Sequence, residues 1–483
     1  MENKYFSKNL NFNIKYIENL FSGDSVLRKR ELTFQNKRAC LFYFDGMVNV
    51  ELINESIVKP LVFAKKLNPN IPLADLVADK ILFASEIKKT TLTNQAVLAM
   101  LYGDTLLLLE NSQTAIVVNS KGWRTRGISE PENERVIEGP REGFDEAAMF
   151  NLAMIRRRLK TPDFCAELIT LGKRTNTLVF VCYLKSLANR AALKTLKSKL
   201  AKISIDSVLD SNYVTEQIEG KFSLFKRVGT TERPDVVAAR LLEGRIALIV
   251  DATPVVITLP YLFSENFQSD EDYYTNHLLA SAMRLLRLIA FFLATTIPAL
   301  FLAFITHHFE FLPAAFAQTV SLSRQGVPFS SLAECLLLCL TFEILRETGV
   351  RMPQSVGHAL SVVGGLVIGQ AAVEAKLIST PMLIAVALAG ICGLMVPRLR
   401  LAVFYLRFGF IFAAAMLGFF GILALWAGVI IHVLSLNSFC VSQTLSLNNP
   451  TFQGLKDVFI RASWSKMLTR PNIQTKNKFR KKL

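Results

Sequence analysis

Hydrophobic and polar positions divide this chain into two kinds of sequence. From residue 1 to about 265, short apolar runs alternate with charged segments, whereas from Leu285 to Leu436 apolar stretches dominate and charges gather between them. In the first part, RACLFYFDGMV at 38–48 reads as a buried strand, VLAMLYGDTLLLLE at 97–110 as a helix then a strand, and TAIVV at 114–118 as another strand. A second unit opens at Gly139, where a Gly-Pro turn precedes the amphipathic segment FDEAAMFNLAMIRRRLK. The strand TLVFVCYL at 177–184, a helix from about Leu187 to Lys202, the strand-like ISIDSVL at 203–209 and the run RIALIVDATPVVITLP at 245–260 complete an α/β pattern. The expected fold is an α/β soluble N-terminal region of two subdomains, 1–138 and 139–270, followed by an α-helical transmembrane bundle at 271–440 and a basic tail at 441–483.

The apolar part contains about four to six segments. LLRLIAFFLATTIPALFLAFI at 285–305 is long enough to cross a bilayer of about 30 Å, and Pro298 should kink it. SLAECLLLCLTFEIL at 331–345 is shorter and carries Glu334 and Glu343, so a half-span or interfacial helix competes with a full crossing. The glycine-rich stretch 356–375, PMLIAVALAGICGLMVP at 381–397 and an apolar run from Leu401 to Leu436 follow. Arg284 and Arg287, then Arg398, Arg400 and Arg407, and finally the tail KNKFRKKL all favour the cytoplasmic side. Five simple crossings would put that tail outside. Either 331–345 is irregular, the preferred reading, or the last run turns back near Gly418 and Gly421. MENKYFSKNLNFNIKYIENLF does not have the form of a signal peptide, so residues 1–265 are expected in the cytoplasm.

Residues 356–375, VGHALSVVGGLVIGQAAVEA, hold the most specific pattern. At 100° per residue, Ser361, Gly365, Gly369 and Ala372 share one face, a Gly-x-x-x-Gly seam that admits a second backbone. Val363, Val367, Gln370 and Glu374 occupy the other face, and hydrocarbon penalises Gln370 and Glu374. The face therefore looks at protein or at water, as a pore wall or as a helix buried in a bundle.

The formal charge of +16 raises nucleic acid as a partner, but no nucleic-acid motif accompanies it; basic residues beside spans mark the cytoplasmic face and attract anionic membrane lipid. Seven cysteines without a Cys-x-x-Cys pair indicate neither a disulfide framework nor a zinc site, and Cys335 and Cys339, one turn apart, read as small core residues. Phosphate-loop, nucleophile-elbow and His-Glu-x-x-His signatures are missing, so neither an enzyme nor a cofactor or metal is expected. His307 and His308 read as interfacial anchors, and His358 and His432 as satisfied buried histidines. Glu343 and Glu347 share a helical face, at spacings that allow pairs with Arg346 and Arg351; a ring of such acids would instead form an acidic vestibule selecting cations.

The order of motifs GPREGF (139–144), NLAMIRRR (151–158), TERPD (231–235), LLEGRIALIVDATP (241–254), DEDYY (270–274), RQGVPF (324–329), TFEILRETGVRMP (341–353), GGLVIGQAAVEA (364–375) and LKDVFIRASWSKMLTRP (455–471) resembles the A subunit of the GerA-type spore germinant receptors. The resemblance spans about 139–471. It implies a subunit of the spore inner membrane that assembles with a transporter-like B subunit and a lipoprotein C subunit to sense nutrients. It also implies a ring, of five copies, around a channel for monovalent cations, and places Val367, Gln370 and Ala371 at its constriction. Two departures stand out. Phe225-Lys226-Arg227 replaces Phe-Pro-Gln, and Ala252 replaces the glycine of Asp-Gly-Thr-Pro, which suggests that this turn needs no positive φ. A non-conducting scaffold or signalling subunit, and a secondary transporter, are the competing functions, although inverted repeats and broken helices are not evident.

Overall fold

The computed structural model describes residues 4–64, 72–122, 130–131, 134–220, 223–351, 367, 369–444, 457–470 and 479–480. Two antiparallel five-stranded sheets build the N-terminal region. The first contains β1 (Leu27–Phe34), β2 (Lys37–Phe44), β3 (Ile87–Thr90), β4 (Thr105–Leu109) and β5 (Ala115–Val118) in the order 1-2-4-5-3. The second contains β6 (Phe164–Leu171), β7 (Thr177–Leu184), β8 (Gly229–Thr231), β9 (Ile246–Val250) and β10 (Val256–Leu259) in the order 6-7-9-10-8. These orders are the same once the strands are renumbered, so the region is an internal duplication of one α/β unit. The first two strands of each copy are eight residues long and pair as a hairpin. In the first, Gln35 and Asn36 both take positive φ, as a two-residue turn matching strand twist requires.

Helices confirm the duplication. α1 (Leu10–Leu20) precedes β1 as α2 (Ala148–Arg158) precedes β6, and Thr93–Leu101 leads into β4 as α3 (Pro234–Leu242) leads into β9. All four helices bury their apolar faces in one core between the sheets, where Phe42, Leu106 and Val117 of the first sheet meet Phe180, Cys182 and Ile249 of the second through Ile17, Val97, Ile155 and Leu241. The helix expected from about Leu187 starts at Arg190, because the Asn189 side chain accepts from the amides of Ala191 and Ala192 and so caps it. Residues 203–209, expected to be strand-like, form no strand; Ile205 and Asp206 instead accept from the amides of Lys173 and Arg174 beside the β6–β7 turn. The turn after β9 also departs from expectation: Ala252 has φ +67°, with its amide donating to Glu146 O. The loss of glycine there did not remove the left-handed conformation.

The helical part comprises α4 (His277–Thr306), α5 (Ala314–Ser323), α6 (Ser331–Arg351), α7 (Thr380–Leu394) and α8 (Arg400–Ser435). Residues 331–351 form one uninterrupted helix of 21 residues, so the irregularity preferred for this segment lies elsewhere. It lies in α8, where Gly418 has φ 60° and ψ −138°. There the chain doubles back: a Cβ on Gly421 would collide with the Ala413 carbonyl, one on Gly409 would lie 3.5 Å from Leu425, and the Phe410 and Trp426 rings are 4.9 Å apart. Each arm, about half of the 36 residues, rises roughly 27 Å, near the thickness of a hydrocarbon core.

Contacts fix the directions. The first arm of α8 runs alongside α4 in the same sense, since Arg407 Nε donates to Ala294 O and Gly418 meets His307 and His308. α6 and α7 are likewise parallel, joined by Glu334 to Ser379 at one end and by Phe342 packed on Gly390 at the other. The second arm returns to the soluble region, where a short hairpin, β11 (Asn437–Ser438) with β12 (Val441–Ser442), docks on it: Ser438 Oγ accepts from the Tyr261 amide, and the Phe263 amide donates to Gln443 O.

Candidate functional site

The motifs scattered along the sequence converge where the soluble region meets the helices. Arg233 of TERPD is buried and donates to Asp235 (2.8 Å) and to the carbonyl of Pro140 (2.9 Å) in GPREGF. Tyr274 of DEDYY donates to Asp235 at 2.5 Å. Arg284, fully buried in the first turns of α4, donates to Asp272 (2.9 Å) and to Asp457 (2.8 Å), and Arg287 also bonds to Asp272. Arg398, just before α8, reaches back to Glu134 (3.3 Å), Asp270 (3.2 Å) and the carbonyls of Glu265 and Gln268. Arg461 of the tail donates to the carbonyls of Tyr273 and Thr275. Removing one partner from such pairs leaves a buried charge uncompensated, which costs about 3–5 kcal/mol, so the network ties the two regions together. Burial, then the nearby Asp270 carboxylate, raise the pKa of Glu134 above its usual 4.5, even though Arg398 and Thr231 oppose the shift. Burial likewise raises that of Glu243, which pairs with Arg245.

A second constellation lies inside the bundle. Arg407 is fully buried on the first arm of α8; its guanidinium donates to Ala294 O (2.9 Å) of α4, Ala389 O (3.1 Å) of α7 and Glu343 (3.2 Å) of α6. Glu343 also pairs with Arg346 one turn on, and Glu347 pairs with Arg351 (2.8 Å) and Arg400 (2.7 Å). Both acids thus face two guanidinia each. Glu334 is fully buried and accepts from the amide (2.6 Å) and hydroxyl (2.5 Å) of Ser379 at the start of α7, while its other oxygen has no partner.

Of the glycine-rich segment, Ser361, Val363 and Gly365 lie outside the described residues. Residues 369–374 are helical. Ala372 packs against the bundle core, and a Cβ on Gly369 would lie 3.9 Å from Leu383 of α7. Val367 (55% exposed), Gln370, Ala371 and Glu374 face away from the chain's own core. Among the described residues no three His, Cys, Asp or Glu side chains gather as metal ligands. α4 and the segment Pro397–Ser435 are long and apolar enough to cross a membrane.

The model of the Bacillus/Clostridium GerA spore germination protein matches residues 15–473. The chain belongs to the GerA spore germination protein family. Among members of the GerA family, spore germination protein KA of Bacillus subtilis (strain 168) is 37% identical over 447 residues, covering 92% of this chain and 82% of that one. Spore germination protein GerLA of Bacillus cereus is 31% identical, covering 94% and 93% respectively. A crystal structure of the N-terminal domain of the A subunit of the Bacillus megaterium spore germinant receptor GerK3 is similar at 29% identity, covering 55% of this chain and 99% of that one with a TM-score of 0.44. Sequence reasoning used the GerA-type motifs for resemblance alone and missed that their charged residues meet. It also took Arg407 as a mark of topology, although a lone arginine inside an apolar run already signals an internal partner.

Proposed function

We propose that this chain is the A subunit of a nutrient germinant receptor of the spore inner membrane, in which several copies, in a ring of five, enclose a nutrient-gated cation channel. Membership of the GerA family supports the germination role. The observation that carries the channel reading is the division of the helix at 369–374, with Gly369 and Ala372 turned to the bundle and Gln370, Ala371 and Glu374 left exposed together with Val367. Polar side chains on an exposed face of an apolar bundle need water or a second copy against them. In a ring, this face would line the pore, and a signal from the B and C subunits would widen it at Val367 and Gln370. Because the described bundle begins and ends at the soluble region, that region and the tail would share the cytoplasmic side, in keeping with Arg284, Arg287, Arg398 and Arg400 at that end.

Potassium release from spores carrying Val367→Ala, with receptor abundance checked, tests this reading. Leak without nutrient at normal abundance is expected; wild-type release at normal abundance would remove Val367 from the constriction. A second reading, a non-conducting scaffold, draws on the pairing of Glu343 and Glu347, which leaves neither acid free for a cation-selective ring. It predicts lost assembly without leak.

A further inference from the structure

A cavity of about 830 Å³ opens at the junction end of the bundle, between the end of α6, the start of α8 and the loop at 224–226. Its walls are of two kinds. Ile344, Leu401 and Tyr405 are each about half exposed and give it an apolar side along the outer faces of the helices. Lys226, Arg346, Arg351, Arg398 and Arg400 line the other side, against the carboxylates of Glu343 and Glu347, leaving three net positive charges. Arg351 and Arg400 remain 78% and 51% exposed at their side chains even while paired to Glu347, and Lys226 is exposed. Arg346 Nε is shut off from solvent without a hydrogen-bond partner.

We propose that this cavity binds one anionic phospholipid, with its phosphate among Lys226, Arg351 and Arg400 and its acyl chains along Ile344, Leu401 and Tyr405. Charge selects the headgroup, because exposed guanidinia and an ammonium at a membrane interface attract a headgroup of net negative charge more than a zwitterionic one, whose own ammonium offsets its phosphate. The apolar wall selects a lipid over free phosphate, which would leave that surface uncovered. The site joins α6 and α8, and Arg398 in its wall bonds to Asp270 and Glu134, so an occupant would touch both the bundle and the junction network. This rests on the bundle lying in a bilayer.

The test uses the full-length chain. Carbonate extraction of membranes reads bilayer insertion separately. In neutral detergent, thermal unfolding and lipid retention are then compared with phosphatidylglycerol, with phosphatidylcholine of the same acyl chains, and with inorganic phosphate. The expected result is stabilisation and retention by phosphatidylglycerol alone, lost in Lys226→Gln/Arg351→Gln/Arg400→Gln, with affinity lowered roughly a hundredfold. A photo-crosslinking side chain at 405 in the otherwise native chain should yield a lipid adduct, a readout independent of whether the triple variant folds. Equal effects of the two lipids, an effect of phosphate alone, a preference that survives the triple substitution, or an adduct with a second copy or a partner protein would each overturn the site. Release by carbonate would overturn the bilayer reading and the lipid site with it.

Discussion

The guanidinium of Arg407 lies 3.2 Å from the carboxylate of Glu343, fully buried and joining helices 64 residues apart in sequence. It is the point at which α4, α6, α7 and α8 are held together, because the same group also donates to Ala294 O and Ala389 O.

Arg407→Met should therefore destabilise the bundle by about 3–5 kcal/mol, since it strips a buried carboxylate and two carbonyls of one donor. Glu343→Gln keeps an acceptor for Arg407 but leaves that buried guanidinium without its carboxylate, so it should cost a comparable amount, about 3–5 kcal/mol. Thermal unfolding of both variants in detergent measures the two losses. A loss below about 1 kcal/mol from either variant would show that the pair does not hold the bundle together.

Gly418 and Gly421 should resist substitution for different reasons. Gly418 holds a backbone conformation essentially confined to glycine, and a Cβ there would also lie 2.8 Å from His308 Nε2. Gly421→Ala would push the arms of α8 apart at Ala413. Each change should cost about 1–3 kcal/mol or more, whereas Gly428→Ala, with nothing within 4 Å of the new methyl, should be neutral or slightly stabilising. Protein abundance and unfolding midpoints distinguish these outcomes.

Glu134 gives the junction a pH dependence of definite sign. Its pKa is raised in the folded chain, so it binds its proton more tightly there than when unfolded. Its contribution is complete below the usual value of 4.5 and is lost as pH rises through the raised value. Glu134→Gln remains neutral throughout, so the midpoint of the wild type relative to this variant should fall as pH rises above 4.5. A difference that stays constant or rises would refute the assignment.

Ala252→Gly should stabilise the chain by up to about 1 kcal/mol, because a non-glycine residue at φ +67° is strained by more than glycine's extra freedom in the unfolded state offsets. Unfolding of the full chain in denaturant, at unchanged slope, measures it.

The strands were legible where apolar runs are continuous, as in RACLFYF and TLVFVCYL, and so was the return at Gly418 as one of two options. The duplication was not, because matching β1 to β6 or β4 to β9 requires strand order, which local hydrophobic pattern does not carry. The junction was hidden for a related reason: Arg284 meets Asp457 across 173 residues, and Arg398 meets Glu134 across 264. Such charges look in sequence like solvated faces or topology marks. Ala252 misled because alanine was read as a vote for an ordinary turn, whereas contacts from Glu146 hold the turn regardless.

Because the chain leaves the soluble region at Asn276 and rejoins it at Leu436, the body that contains Arg245, Tyr261 and Asp272 is finished only by residues that follow the bundle in sequence. Ser438, Gln443, Asp457 and Arg461 all follow α4 to α8 in the chain, and they supply partners to Tyr261, Phe263, Arg284 and Tyr273. Without those residues the buried Arg284 guanidinium would lose the Asp457 carboxylate and the Tyr261 amide its acceptor on Ser438. Closure of the junction is therefore conditional on the path of the chain through α4 to α8, because its hydrogen-bonding partners lie on both sides of that segment.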